Sequence, residues 1–338
     1  MAIGKTLPAS TYREVLRRAY AAAKKYKFLW FFGFFAAFLG AGGEFESLFN
    51  SYVDIGERSR GIFSLRSFYQ DGFLWSMYES TMDFFSANPW QAFLFFLLLL
   101  VVILVIVWLA IVSQIGLFDA GSKIAKGTDI SYGDAYRNGN RHFGSVLLIN
   151  LTIKVVMYAI FVLIGTPLVA TFLLRDSLLA GTVFVVIVFF VFVPISVVAS
   201  FVVKYAIAYI VIKDKPAGES IKLGWKLFRE QWLVSIEMAF IILVIGICVG
   251  LFILLLMGIA AVPFILIAIA GLFFASQQGF VVALVFGTVA WFAIAAIVGA
   301  AYVTFNYLAW TFLFLKLVDE KAQSKLARWI GKFSMKSA

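Results

Sequence analysis

Lys154, Lys204 and Glu237 are the ionisable residues that stand well inside long apolar runs of this 338-residue chain. A charge placed in hydrocarbon is costly and usually faces a bundle interior, where an opposite charge or a carbonyl meets it. The chemistry open to such a set is ion pairing, proton relay or coordination of a small solute. Lys154 lies thirteen residues beyond Arg141 and is the deepest of the three, at about 20 Å along a helix. Lys204 lies nine residues before Lys213, and Glu237 eight after Arg229. Both can therefore snorkel toward an interface. Lys154 and Glu237 sit at similar depth, which makes them the candidate buried ion pair. Asn150, Asn306 and Lys204 are the candidate polar lining beside it, and Gln114 is a further interhelical hydrogen-bonding residue.

Little else in the chain could act on a substrate. There is one His, His142, and one Cys, Cys248. That composition excludes a disulfide framework and Cys-based metal clusters, and no cofactor is expected. Walker-type, G-x-G-x-x-G, H-E-x-x-H, C-x-x-C and G-x-S-x-G motifs are missing. Glu44, Glu46 and Asp54 could suit an integral transferase. They lie opposite the helically spaced stripe Phe45, Leu48, Phe49, Tyr52 and Val53, however, and that explains them without catalysis. The expectation is a protein that is not an enzyme.

The elements that hold these residues follow from composition. The chain is 63% hydrophobic and 14% charged, with a mean hydropathy of +0.99, against about 45–50% and about 25% in soluble domains. A soluble enzyme, a disordered chain and a nucleic-acid module are excluded. The expected fold is all-α, a polytopic transmembrane bundle. Its spans are Phe28–Gly40, Gln91–Ile115, Phe143–Leu174, Gly181–Ile212, Trp232–Ala275 and Phe280–Leu315, each judged against the roughly 20 residues that cross a bilayer. Six spans is the count, or eight if Gly258 and Pro263 break the longest run. Asn88, Pro89 and Trp90 form a start signal, with a cap, a favoured first-turn Pro and an interfacial aromatic.

The net charge of +10 is an orientation signal. Basic residues dominate 1–27, 116–142, 213–230 and 316–338, whereas 41–92 holds seven acids and no Lys. By the positive-inside rule both termini and the basic segments face the cytoplasm, and 41–92 lies outside. Nucleic acid is not an expected partner.

Residues 132–143 align without a gap on 217–228, matching Gly133 to Gly218, Arg137 to Lys222, Gly139 to Gly224 and Arg141 to Lys226. A weaker copy sets Glu14, Arg17 and Ala19 against Asp134, Arg137 and Gly139. The unit is an amphipathic cytoplasmic helix followed by two spans, used about three times. It divides one membrane domain, 1–338, into 10–115 (with the external amphipathic insert 41–92), 131–212 and 216–315, followed by a basic amphipathic tail over 319–338. Arg13, Arg17, Arg137, Arg141, Lys222 and Lys226 are the candidate headgroup contacts, since a basic residue near anionic lipid gains about 1 kcal/mol. Membrane lipids, anionic at the cytoplasmic face, are the expected partners, and a membrane protein could dock on 41–92.

The segments GLFDAGSKIAKGTDISYGDAYRNGNRHF and YIVIKDKPAGESIKLGWKLFREQW resemble a bacterial multi-pass membrane group. That group includes the membrane region attached to some glycerophosphodiester phosphodiesterases and several uncharacterised families. In it a span ends in a short charged turn, then an amphipathic helix with a Gly and basic residues, then the next span. The soluble segments here are too short for a phosphodiesterase domain. The resemblance implies a bacterial inner-membrane protein connected with glycerolipids, and it assigns no catalytic residue. The function expected is organisation of lipid or of a membrane complex through basic interfacial helices. The alternative is a small-solute or ion transporter with a Lys154/Glu237 polar site.

Overall fold

The computed structural model describes residues 11–39, 89–174, 178–273 and 277–320, and these form helices joined by short turns with no strand among them. The helices are α1 (Thr11–Lys25), α2 (Leu29–Ala37), α3 (Pro89–Ala125), α4 (Tyr132–Arg141), α5 (Phe143–Leu174), α6 (Leu178–Lys213), α7 (Ala217–Glu230), α8 (Trp232–Phe273) and α9 (Gln277–Glu320). Five described helices, α3, α5, α6, α8 and α9, are long and apolar enough to cross a membrane. The chain is a multi-pass membrane protein. The expected first span proves different. Its helix, α2, has nine residues, about 13 Å, which falls short of the hydrocarbon thickness of roughly 30 Å. Pro263 does not break α8, which runs without interruption over 42 residues.

Short local signals set the ends. α3 begins at Pro89 and closes on Gly127, whose φ of +74° suits a residue without Cβ. There Thr128 N–H donates to Lys123 O at 3.0 Å and Gly127 N–H to Ile124 O at 3.0 Å. Ser131 caps α4 by accepting from Gly133 N–H at 3.2 Å. Asp214 takes the left-handed turn after α6 at φ 53°, which Asp tolerates better than most residues.

α3 shows how the bundle divides between lipid and protein. From Phe93 to Val105 it is exposed on every face, and from Ala110 to Ser122 it is buried on every face. An apolar helix open all round belongs in hydrocarbon. The buried part belongs to a core built where α3, α6 and α9 end, from Ile111, Ile115 and Phe118, Phe201, Tyr205 and Ile207, and Leu308, Trp310 and Phe314. The short helices wrap this core. α1 packs on α9, α4 on α3 and α7 on α6, while α2 wedges between α3 and α9.

Small residues permit these approaches. A Cβ on Gly139 of α4 would lie 2.7 Å from Val112 O, and one on Gly224 of α7 would lie 2.9 Å from Val202 O. Ala19 of α1, aligned with both, is fully buried. Gly250 and Gly299, which by spacing could admit a neighbouring helix, have nothing within 4 Å of an added Cβ. The tight approaches occur instead at Gly33, Gly121, Gly139 and Gly224.

Candidate functional site

The structure does not bring Lys154 and Glu237 together. Lys154 is exposed on the outer surface of α5, and α5 shares no extended interface with α8, the helix that carries Glu237. The Glu237 carboxylate instead accepts a hydrogen bond from Tyr12 Oη of α1 at 2.5 Å. The physical reason is sidedness, because two residues at equal depth need not face one another around a bundle.

Lys204 does not snorkel to the surface. It is buried, with Nζ 4.5 Å from the centroid of the Trp310 ring and 5.9 Å from that of Phe201, a cation–π arrangement that substitutes for water. The indole N–H of Trp310 has no hydrogen-bond partner among the described residues, so the ring serves the lysine by its face. Asn150 donates from Nδ2 to Gln114 Oε1 at 2.9 Å, and Gln114 Nε2 donates to Tyr307 Oη at 3.2 Å. Asn306 is buried beside Tyr307 on α9. Ser235 of α8 and Tyr205 of α6 share a hydrogen bond of 2.6 Å. These polar groups link α5 to α3, α3 to α9 and α8 to α6.

A second set of charges lies at the ends of the short helices. Asp119 holds Lys123 at 2.8 Å and accepts from Asn138 Nδ2 at 2.7 Å, which ties α4 to α3. Arg141 meets Asp214 at 3.0 Å, and His142 Nε2 lies 3.8 Å from the same carboxylate. Burial lowers the pKa of His142, and the nearby Asp214 opposes that shift without cancelling it. The unfolded chain therefore binds the proton more tightly than the folded one near pH 6.5. Stability should be full above that pH and fall as pH drops through it toward the lower folded-state pKa. His142 is the one histidine in the chain. Thermal unfolding in detergent between pH 7.5 and 5 should therefore lose this dependence in His142→Gln. An unchanged slope in the variant would assign the dependence to carboxylates.

Arg13, Arg17, Arg137, Arg141, Lys222 and Lys226 are all exposed. They stand on α1, α4 and α7, whose opposite faces are buried at Val15 and Ala19, Ala135 and Gly139, and Ser220 and Gly224. Beside them is a cleft of about 620 Å³ between α1, the turn after α3 and the end of α9. Arg18, Lys25, Lys126, Asp129 and Lys316 line it together with the apolar Val15 and Phe312. None of Asn150, Lys154, Lys204, Glu237 or Asn306 lines it. Lys316 and Arg18 each meet Glu14 at 2.7 Å, and the Lys316 ammonium holds the Glu14 carboxyl below its ordinary range.

Spacing could not reveal this cleft, because its walls come from residues about 100 and 300 positions apart. The insert 41–92, apart from the first residues of α3, and the tail beyond Glu320 lie outside the described residues, as does the Arg175–Asp176 turn. No group of three or more His, Cys, Asp or Glu able to hold a metal occurs among the described residues. Comparison with protein-family models, with curated proteins and with solved structures finds no match for this chain.

Proposed function

We propose that this chain is a non-enzymatic protein of the bacterial cytoplasmic membrane that organises anionic lipid at the cytoplasmic face, and with it any membrane complex assembled there. The observation that carries the reading is the placement of six exposed cations. Each short basic helix is clamped to a long helix by small residues, with Arg13, Arg17, Arg137, Arg141, Lys222 and Lys226 left outward at the end where α3, α6 and α9 finish. Rigid anchoring matters, since a cation held at headgroup level loses less freedom on meeting a phosphate than one on a loose tail.

The threefold use of one unit belongs to the same reading. Two observations support it: each short helix packs on the last long helix of another unit, and the aligned Gly139 and Gly224 each bring a short helix close to the backbone of a long one. The transporter alternative drew on Lys154 and Glu237 sharing a polar path, and the outward position of Lys154 lends it no support.

The test is lipid selectivity of the full chain, delipidated in mild detergent and offered equal amounts of phosphatidylglycerol and phosphatidylcholine. Native mass spectrometry should show a preference for phosphatidylglycerol. At about 1 kcal/mol per cation, replacing all six by Ala should reduce that preference at least tenfold with helix content unchanged. Absence of any preference in the unaltered protein would overturn the reading.

A further inference from the structure

The cleft beside α1 is open because of a substitution between aligned units. In the second unit Arg141 and His142, at the end of α4, reach Asp214 in the turn after α6. The corresponding turn after α3 carries Asp129, at the position aligned with Asp214. The residues of α1 that align with Arg141 and His142 are Ala21 and Ala22. Two side chains that would fill the space are thus reduced to methyl groups, and both alanines line the resulting cleft.

Its chemistry is mixed in a definite way. Lys25 lies on one wall with Nζ 4.8 Å from the Tyr26 ring centroid, and Lys126 on the other. Arg18 and Lys316 add two cations that share Glu14. Asp129 takes the Tyr26 hydroxyl at 3.3 Å. Val15 and Phe312 supply apolar wall. Cations suit a phosphate, a carboxylate beside them suits a hydroxyl donor, and apolar wall suits the ester end of an amphiphile. A soluble phosphate ester would have no use for the last of these.

We infer that this cleft binds the phosphate of one anionic lipid headgroup that also carries a hydroxyl, with Lys25 and Lys126 on the phosphate, Asp129 on the hydroxyl, and Val15 and Phe312 beside the glycerol ester. The inference rests on the lipid-organising reading above and sharpens it, replacing a diffuse basic surface by one site that differs from its aligned counterparts.

The test uses the full chain, delipidated in mild detergent and titrated with phosphatidylglycerol under native mass spectrometry. The unaltered protein should retain one phosphatidylglycerol more tightly than the rest. The double variant Lys25→Ala with Lys126→Ala should weaken that one about 10- to 30-fold. The double variant Lys213→Ala with Arg229→Ala, both exposed and with the same charge loss at the ends of α6 and α7, should leave it within about twofold. Ala21→Arg copies Arg141 and should close the cleft onto Asp129, with a comparable loss. Ala21 is exposed, so the longer side chain does not disturb the core.

Equal weakening by both double variants, or full binding in Ala21→Arg, would overturn the cleft while leaving the lipid-organising reading standing. Displacement of the tight lipid by millimolar glycerol 3-phosphate would make the ligand a soluble phosphate and overturn the lipid assignment. Loss of all phosphatidylglycerol preference in the unaltered chain would overturn both readings together.

Discussion

Replacing Trp310 by Ala should lower the stability of the bundle by about 3–5 kcal/mol, the cost of removing a large aromatic from a packed core. Trp310 is the largest of the fully buried side chains, with ring centroids of Phe201 at 5.5 Å and Tyr205 at 6.2 Å. The substitution also removes the ring beneath Lys204 Nζ, leaving a buried cation with poorer surroundings. Trp310→Phe keeps an aromatic face and forfeits no hydrogen bond to a described residue, because the indole N–H makes none there. It should recover more than half of the loss. Denaturant titration in one detergent, followed by near-ultraviolet circular dichroism, measures both. An Ala variant within about 1 kcal/mol of the parent would mean that this core is not the one that holds the long helices together.

Gly33→Ala should destabilise by about 1–3 kcal/mol or more, although Ala is the better helix former. A Cβ there would overlap the Ala300 carbonyl oxygen and Thr304 Oγ1, the first of which is backbone and cannot rotate away. Thr304 Oγ1 also donates to a carbonyl, with Leu29 O at 3.0 Å and Ala300 O at 2.8 Å, so pushing α2 outward disturbs that link as well. Gly250→Ala is the matched control. Nothing lies within 4 Å of its added Cβ, and the propensity gain of roughly 0.5–1 kcal/mol should appear unopposed. The two changes should move the melting temperature in opposite directions. A shared direction would show that α2 is not seated against α9 as described.

The long helices were legible because apolar length is a strong signal. Phe143–Leu174 falls on the residues expected, and α3 starts at the expected Pro89. What sequence could not supply was sidedness. Lipid and protein core are chemically alike to a Leu or Phe, so a span carries almost no periodic polarity to mark its inner face. That is why Lys204 looked able to snorkel and is buried, and why Lys154 looked interior and is exposed. The amphipathic helices are the opposite case. They border water, so α1, α4 and α7 were marked by their patterns, including the small residues Ala19, Gly139 and Gly224 that proved buried. Tyr12 against Glu237 and Asp129 near Lys25 join distant parts of the chain, and no spacing rule reaches that far.

The account stands on α1, α4 and α7 lying together at one membrane face, the cytoplasmic one. Single cysteines at Tyr20, Ser131 and Lys222, one beside or on each short helix and all exposed, report that placement in a background where Cys248 is replaced by Ser. Trp90, exposed at the start of α3, reports the opposite end. With a membrane-impermeant maleimide, the cysteines at 20, 131 and 222 should stay unlabelled in intact cells and react after lysis, whereas the cysteine at 90 should react in intact cells. Labelling of 20, 131 and 222 that splits between the two conditions, or that inverts with 90, would contradict it.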